Sequence, residues 1–309
     1  MDSNSKKVNI VKLSVFSNSF LVVSKLIIGI IIGSVSVISE AIHSAIDLVA
    51  ALIAFFAVKN SNKPPDEEHR FGHGKIENIS GFIEAILIFI AAVWIIYEAV
   101  KKLIYPGNIE QIGWGILVMF VSSALNFYVS RKLMKTALET DSIAIKADAV
   151  HLMTDVYTSL GVAVSLFIIW IMEYIFKGNH FHWLDPLCAI GVALLIFKAA
   201  WDLTKESFKD LMDSSLDKEE ISKIKSAIDS LEISVGYKSL KTRKSGNEKF
   251  VEMDLVFPKE VSLLKAHEET DKLTASIKEK IPNSHVIVHM EPCLDPCPKS
   301  CEPNCKKNA

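Results

Sequence analysis

Ala147-Asp148-Ala149-Val150-His151-Leu152-Met153-Thr154-Asp155 lies inside the apolar stretch Ile143–Trp170. The stretch is long enough for a membrane-spanning helix, yet it carries a histidine and a carboxylate four residues apart. On a helix, positions i and i+4 share one face, roughly 6 Å apart. Ionisable groups are costly inside a span and by default mark a pathway or a site. A second apolar stretch, Ser34–Val58, repeats the pattern as His43-Ser44-Ala45-Ile46-Asp47. Two His-x3-Asp pairs offer four nitrogen and oxygen donors, the number tetrahedral zinc takes. A single such pair serves equally well as interhelical glue; two at one depth favour a site.

The remaining sequence supplies the setting. A chain of 309 residues, 50% of them hydrophobic, has room for a membrane domain plus a small soluble one. Its 34 basic and 36 acidic residues nearly balance, which gives no sign of a nucleic-acid partner. Met1 to Ile10 is polar, and the apolar run after it is too long for a signal peptide, so it reads as a first span. Apolar stretches of spanning length cover Val11–Ile32, Ser34–Val58, Ile76–Ile104, Ile112–Leu133, Ile143–Trp170 and Trp183–Leu203. Lys6, Lys7 and Lys12 precede the first; Lys59, Lys63, Arg70 and Lys75 follow the second. Arg131, Lys132, Lys135 and Lys146 are expected between the fourth and fifth. Positive charge marks the cytoplasmic side, so both termini are expected there. In that topology Asp47 and His43 lie ~16 and ~22 Å from the inner end of their helix, and His151 and Asp155 ~12 and ~18 Å from theirs. Running antiparallel, the helices would set Asp47 opposite His151 and His43 opposite Asp155.

From about Ser207 the pattern becomes soluble. Asp217 is a candidate N-cap for an amphipathic helix reaching about Leu231. Ile233–Thr242 and Phe250–Phe257 read as a hairpin turned by Lys244-Ser245-Gly246-Asn247, Glu260–Ile281 as a helix, and His285–Met290 as a third strand. The expected domains are 1–206, six membrane helices; 207–291, a small cytoplasmic α+β domain in αββαβ order; and 292–309, a cysteine-rich tail. In the tail, Cys293, Cys297, Cys301 and Cys305 recur at every fourth position among prolines that exclude a stable helix. Four thiolates suit a soft metal, and a cytoplasmic tail stays reduced. A disordered tail with adventitious affinity fits as well. The loop Asp66-Glu67-Glu68-His69-Arg70-Phe71-Gly72-His73-Gly74-Lys75 holds a further histidine–carboxylate cluster, which composition alone reads as a charged, solvated loop. Lys25, Glu84 and Glu98 are expected either to form interhelical pairs or to lie near an interface.

These features together resemble the cation diffusion facilitator transporters, including bacterial zinc and iron exporters. The resemblance covers nearly the whole chain: six spans, paired ligands on the second and fifth, Phe71-Gly72-His73-Gly74-Lys75, and the cytoplasmic αββαβ domain of metallochaperone or ferredoxin-like type. It implies a homodimer that exchanges a divalent metal for protons. The transport site would fall on His43, Asp47, His151 and Asp155, and a loop site on Asp66, His69 and His73. A cytoplasmic-domain site would fall on Asp254, His267, His289 and Glu291. Members with a binuclear cytoplasmic site carry histidines where this chain has Tyr237 and Asp254, so one metal there fits better than two. Lys75 and Asp213 match a charge pair between the two domains.

The expected activity is export of zinc, with cobalt, cadmium, iron or manganese as further cargoes, from a bacterial cytoplasm across the inner membrane. Zinc is both substrate and a regulatory or structural ion, and no organic cofactor is expected. Metal ligands must be deprotonated, so protons compete with the ion, and an ordinary imidazole of pKa ~6.5 exchanges within the physiological range. Two other readings stay open. An intramembrane zinc hydrolase would need a separate general base, as in His-Glu-x-x-His; the nearest string, His267-Glu268-Glu269-Thr270-Asp271, lacks the second histidine. A sensor that binds without transport would leave midplane ligands unexplained.

Overall fold

A computed structural model of the chain describes residues 3–32, 35–105, 114–176, 183–234 and 236–293. The chain divides into two compact units, Met1–Phe208 and Lys209–Ala309. Its long helices are α1 (Ser3–Ile32), α2 (Val35–Ser61), α3 (Lys75–Ile104), α4 (Trp114–Thr140), α5 (Ile143–Phe176) and α6 (Leu184–Leu211). Among the described residues, Asn4–Ile31, Ala41–Ser61, Lys75–Ile104 and Pro186–Leu211 are long and apolar enough to cross a membrane. In lipid a helix satisfies its own backbone, which is why apolar sequence of this length takes no other form. Ile90, Trp94, Leu194 and Leu195 are exposed on the outside of the unit, as a lipid-facing surface requires. Fully buried Ala50, Ala54, Ala85, Ala92 and Ala147 stand inside; small residues let helix backbones approach where apolar side chains gain nothing over lipid.

Helix ends depart from the expected spans. α1 begins at Ser3 rather than Val11, and α4 continues from Leu133 to Thr140. Arg131, Lys132 and Lys135 are therefore on α4 and Lys146 on α5, not in a loop; only Asp141 and Ser142 connect the two helices. Asp141 makes the turn with φ of 52°, a left-handed conformation that Asp tolerates better than most residues. Hydropathy marks what lipid covers, whereas lysine, arginine and glutamate are good helix formers that carry a helix past that boundary.

The second unit contains α7 (Lys218–Asp229), β1 (Gly236–Ser245), β2 (Glu248–Phe257), α8 (Leu263–Lys280) and β3 (Ser284–Pro292), in αββαβ order. The sheet runs β1-β2-β3. β1 and β2 form an antiparallel hairpin, while β3 lies parallel to β2; the parallel pairing needs a crossover, and α8 supplies it. Ile224 and Ile228 of α7, Val251, Met253 and Leu255 of β2, and Leu273 and Ile277 of α8 make the core. Three local expectations shift. The first strand starts at Gly236, not Ile233, because the chain bends first and Ser234 Oγ accepts from the Gly236 N–H at 3.2 Å. The second helix starts at Leu263, not Glu260, where Ser262 Oγ accepts from the Lys265 N–H at 3.3 Å. Asp217 precedes α7 but its side chain makes no capping bond; it pairs instead with Lys209 at 3.7 Å.

Candidate metal centre

α5 packs against α2, α3 and α4, and its contact with α2 builds the centre. His43 and Asp47 stand one turn apart on α2, as His151 and Asp155 do on α5. His151 Nε2 lies 3.3 Å from Asp47 Oδ1, and His43 Nε2 lies 4.0 Å from Asp155 Oδ1. Ligand atoms of His43, Asp47 and Asp155 all fall within 4.8 Å of one another, and His151 joins them through Asp47. Donors around a tetrahedral zinc stand ~3.3 Å apart for bonds of 2.0–2.2 Å. One of the two pairs already has that spacing, and a small contraction would bring the other to it. Asp47 and His151 are buried, whereas the His43 ring is exposed. The centre thus has a closed wall and an open one.

Two polar neighbours adjoin the centre, of which Asn126 carried no role in the sequence reading. Asn126 of α4 donates to Asp155 Oδ2 at 3.3 Å, fixing the carboxylate that faces His43. A lone asparagine within an apolar helix was the only signal for it. Lys25, buried on α1, donates to Ser44 Oγ of α2 at 2.9 Å, an interhelical hydrogen bond. Glu84 is buried within the bundle, and among the described residues neither of its carboxylate oxygens has a hydrogen-bond partner. Glu98 pairs with Lys101 of its own helix at 3.8 Å.

The loop before α3 holds the second ligand cluster. Asp66 Oδ1 lies 3.4 Å from His69 Nδ1, and Asp66 Oδ2 lies 3.3 Å from His73 Nε2. The Asp66 carboxylate accepts the His69 N–H at 2.6 Å and the Glu68 N–H at 3.1 Å. Those bonds fold the loop back on itself, and Gly72, at φ of 81°, completes the turn. The His69 backbone N–H, aided by both imidazoles, holds the Asp66 carboxyl below its ordinary range. Its carboxylate lies within reach of two imidazole rings whose centroids are 4.6 Å apart.

The cytoplasmic-domain residues are arranged differently. Among the described residues, the only groups of three or more His, Cys, Asp or Glu with mutually close ligand atoms are the loop cluster and the α2/α5 cluster. Asp254 and His289 are register partners on β2 and β3, but Asp254 accepts from Ser239 Oγ at 2.5 Å. Glu291 takes an ion pair from Lys238 and lies 3.9 Å from His289. His267 faces Asp271 of its own helix at 3.7 Å. Asp213, implied as the partner of Lys75, meets Arg243 at 3.5 Å, and Lys75 opens α3. Cys293 is partly buried just past the end of β3; Cys297, Cys301 and Cys305 lie outside the described residues.

Comparison with known proteins gives this geometry its context. Residues 11–212 match the cation efflux transmembrane domain, and residues 216–293 match the cytoplasmic domain of cation efflux proteins. The chain is 35% identical over 263 residues to an uncharacterized transporter of Synechocystis sp., covering 85% of this chain and 83% of the relative. It is 28% identical to protein p34 of Rickettsia prowazekii, over 91% of this chain and 90% of that protein. It is also 28% identical to the cation-efflux pump FieF of Citrobacter koseri, over 84% of each chain. With both domain types matched in order along nearly its full length, the chain belongs to the cation diffusion facilitator family of cation-efflux metal transporters.

Proposed function

We propose that this transporter exports a divalent transition metal, zinc first, in exchange for protons, through the site made by His43, Asp47, His151 and Asp155. The observation that carries the reading is the meeting of two His–Asp pairs from α2 and α5, with Asp47 and His151 buried together at 3.3 Å. Mixed nitrogen and oxygen donors favour zinc, with cobalt and cadmium close behind; an all-oxygen set would suit manganese better. Metal displaces protons from the imidazoles and carboxylates, so the site holds either the ion or protons. An inward-facing state loads metal, an outward-facing state takes up protons, and the proton gradient drives the return. The partly open wall at His43 is where the ion enters or leaves. The match to the cytoplasmic domain of this family supports a homodimer, and basic residues on one side of the spans support cytoplasmic termini in a bacterial inner membrane.

In the same reading Asp66, His69 and His73 hold a second metal at the membrane rim, and Asp254, His267, His289 and Glu291 a regulatory one after a rearrangement of their present partners. The cysteine tail would load or sense metal. Uptake into proteoliposomes under an imposed pH gradient tests the main claim, comparing zinc, manganese, iron, cobalt and cadmium. Zinc should move fastest, and Asp47→Ala with Asp155→Ala should abolish uptake while the protein stays folded. Faster manganese would refute the ligand argument for selectivity.

A further inference from the structure

On α4 an exposed stripe runs through Val121, Phe127 and Tyr128 and then, within one turn, through Arg131, Lys132 and Lys135. Residues three and four apart are neighbours on a helix surface, so the three cations stand together. Aromatic rings hold two of them. The Arg131 guanidinium carbon lies 5.2 Å from the centre of the Phe127 ring, and Lys132 Nζ lies 4.5 Å from that of Tyr128. Each ring precedes its cation by four residues, so both heads lean toward the start of α4, as helical side chains do. They point at the apolar part of the stripe, and cations already ordered over aromatic faces lose less freedom on meeting an anion.

α1 repeats the arrangement beside α4. Lys6 lies 3.8 Å from Glu139, and Val11 shares a buried cluster with Val129 and Leu133. Lys12 is exposed and therefore level with Arg131 and Lys132. Phe16, one turn further along α1, is exposed as well. Two neighbouring helices thus change from apolar to basic at one level, with aromatic rings at the change. Rings so placed mark the depth of lipid headgroups. Glu139, the acid that Lys6 and Lys135 meet, stands ~12 Å further along α4 than Arg131, so the charge at the level of the rings is positive.

We infer that this face docks an anionic phospholipid, with its phosphate on Arg131 and Lys132 and its acyl chain along the apolar part of the α4 stripe. The inference goes beyond the transport reading and needs only that the unit spans a membrane. Charge complementarity selects the occupant: an anionic headgroup meets the cations, and its hydrocarbon chain meets Val121 and the two rings. A second copy of the chain fits the face poorly. An isologous contact sets a patch against itself, which here brings like charges together.

The test uses the full chain in neutral detergent. Native mass spectrometry reads the affinity of the first phosphatidylglycerol or phosphatidylcholine molecule bound. The wild type should prefer phosphatidylglycerol, and Arg131→Gln with Lys132→Gln should weaken it on the order of tenfold, the scale of losing two charges near an anionic surface. Equal affinity for the two lipids in the wild type overturns the proposal. Phe127→Ala with Tyr128→Ala keeps every charge and should still weaken phosphatidylglycerol severalfold. Unchanged binding there means diffuse surface charge and overturns the docking site, and this pair decides alone if the charge variants do not fold. Inorganic phosphate that binds as tightly as the lipid would leave only an anion site. A disulfide between chains in Tyr128→Cys, absent from the wild type, would put a second copy on the face; either result overturns the proposal. None of these readings involves metal, so failure of the transport reading leaves them standing.

Discussion

At the scale of single residues, the proposed centre should depend on groups that orient its side chains. Asn126 holds Asp155 Oδ2 at 3.3 Å, and loss of such a supporting bond typically costs about 10- to 100-fold in metal affinity. Asn126→Ala should raise the zinc KM by that factor and leave the fold intact; an unchanged KM would refute the role. Asp66 makes a prediction in pH. Its carboxyl is held below the ordinary value of 3.8 chiefly by the His69 N–H. A depressed folded-state pKa means the ionised form contributes stability above that ordinary value and loses it as pH falls through the folded pKa. The acid step in the His69 amide resonance that belongs to Asp66 should therefore have its midpoint below 3.8. A midpoint above that value, or the same titration in Asp66→Asn, would contradict the assignment. The meeting of the two His–Asp pairs was legible because His and Asp recur four apart inside apolar sequence. Asn126 was not, because one amide in a span looks the same whether it orients a ligand or faces a neighbouring helix.

At the scale of elements, the bundle is tied at one end by a buried charge network. Lys7 Nζ donates to Glu77 Oε1 at 2.9 Å, and both side chains are wholly buried. Ser61 Oγ donates to the same carboxylate at 2.9 Å, as does Ser142, so α1, α2, α3 and the start of α5 meet there. Removing one partner of a buried pair strands the other charge, at a cost of about 3–5 kcal/mol. Glu77→Ala should therefore lower the unfolding midpoint in detergent far more than Glu98→Ala, which breaks an exposed pair; equal midpoints would refute the network. Close helix approach sets a second constraint. A Cβ at Gly161 would stand 2.5 Å from Val192 Cγ2, so Gly161→Val should destabilise by about 1–3 kcal/mol through overpacking. Unchanged thermal stability would show that α5 and α6 are looser than this. Element order followed from periodicity in both units. Helix ends did not, because Lys6, Lys7, Arg131 and Lys132 continue helices beyond the apolar sequence, and no hydropathy pattern records that.

At the scale of the whole molecule, a membrane unit in which two His–Asp pairs meet is followed by a small αββαβ unit of the family's cytoplasmic type. In detergent, light scattering should give a protein mass of twice the 34.3 kDa chain; a monomer at transport-competent concentration would contradict the homodimer. The central claim is coupled exchange at the α2/α5 site. Its most direct measurement follows zinc entry and proton exit together, in one set of proteoliposomes carrying a zinc dye and a pH dye. The account predicts that the two signals rise in step in the wild type and vanish together in Asp47→Ala with Asp155→Ala. Zinc that binds but does not cross would contradict it and leave a metal sensor, and zinc that crosses without proton counterflow would contradict the exchange.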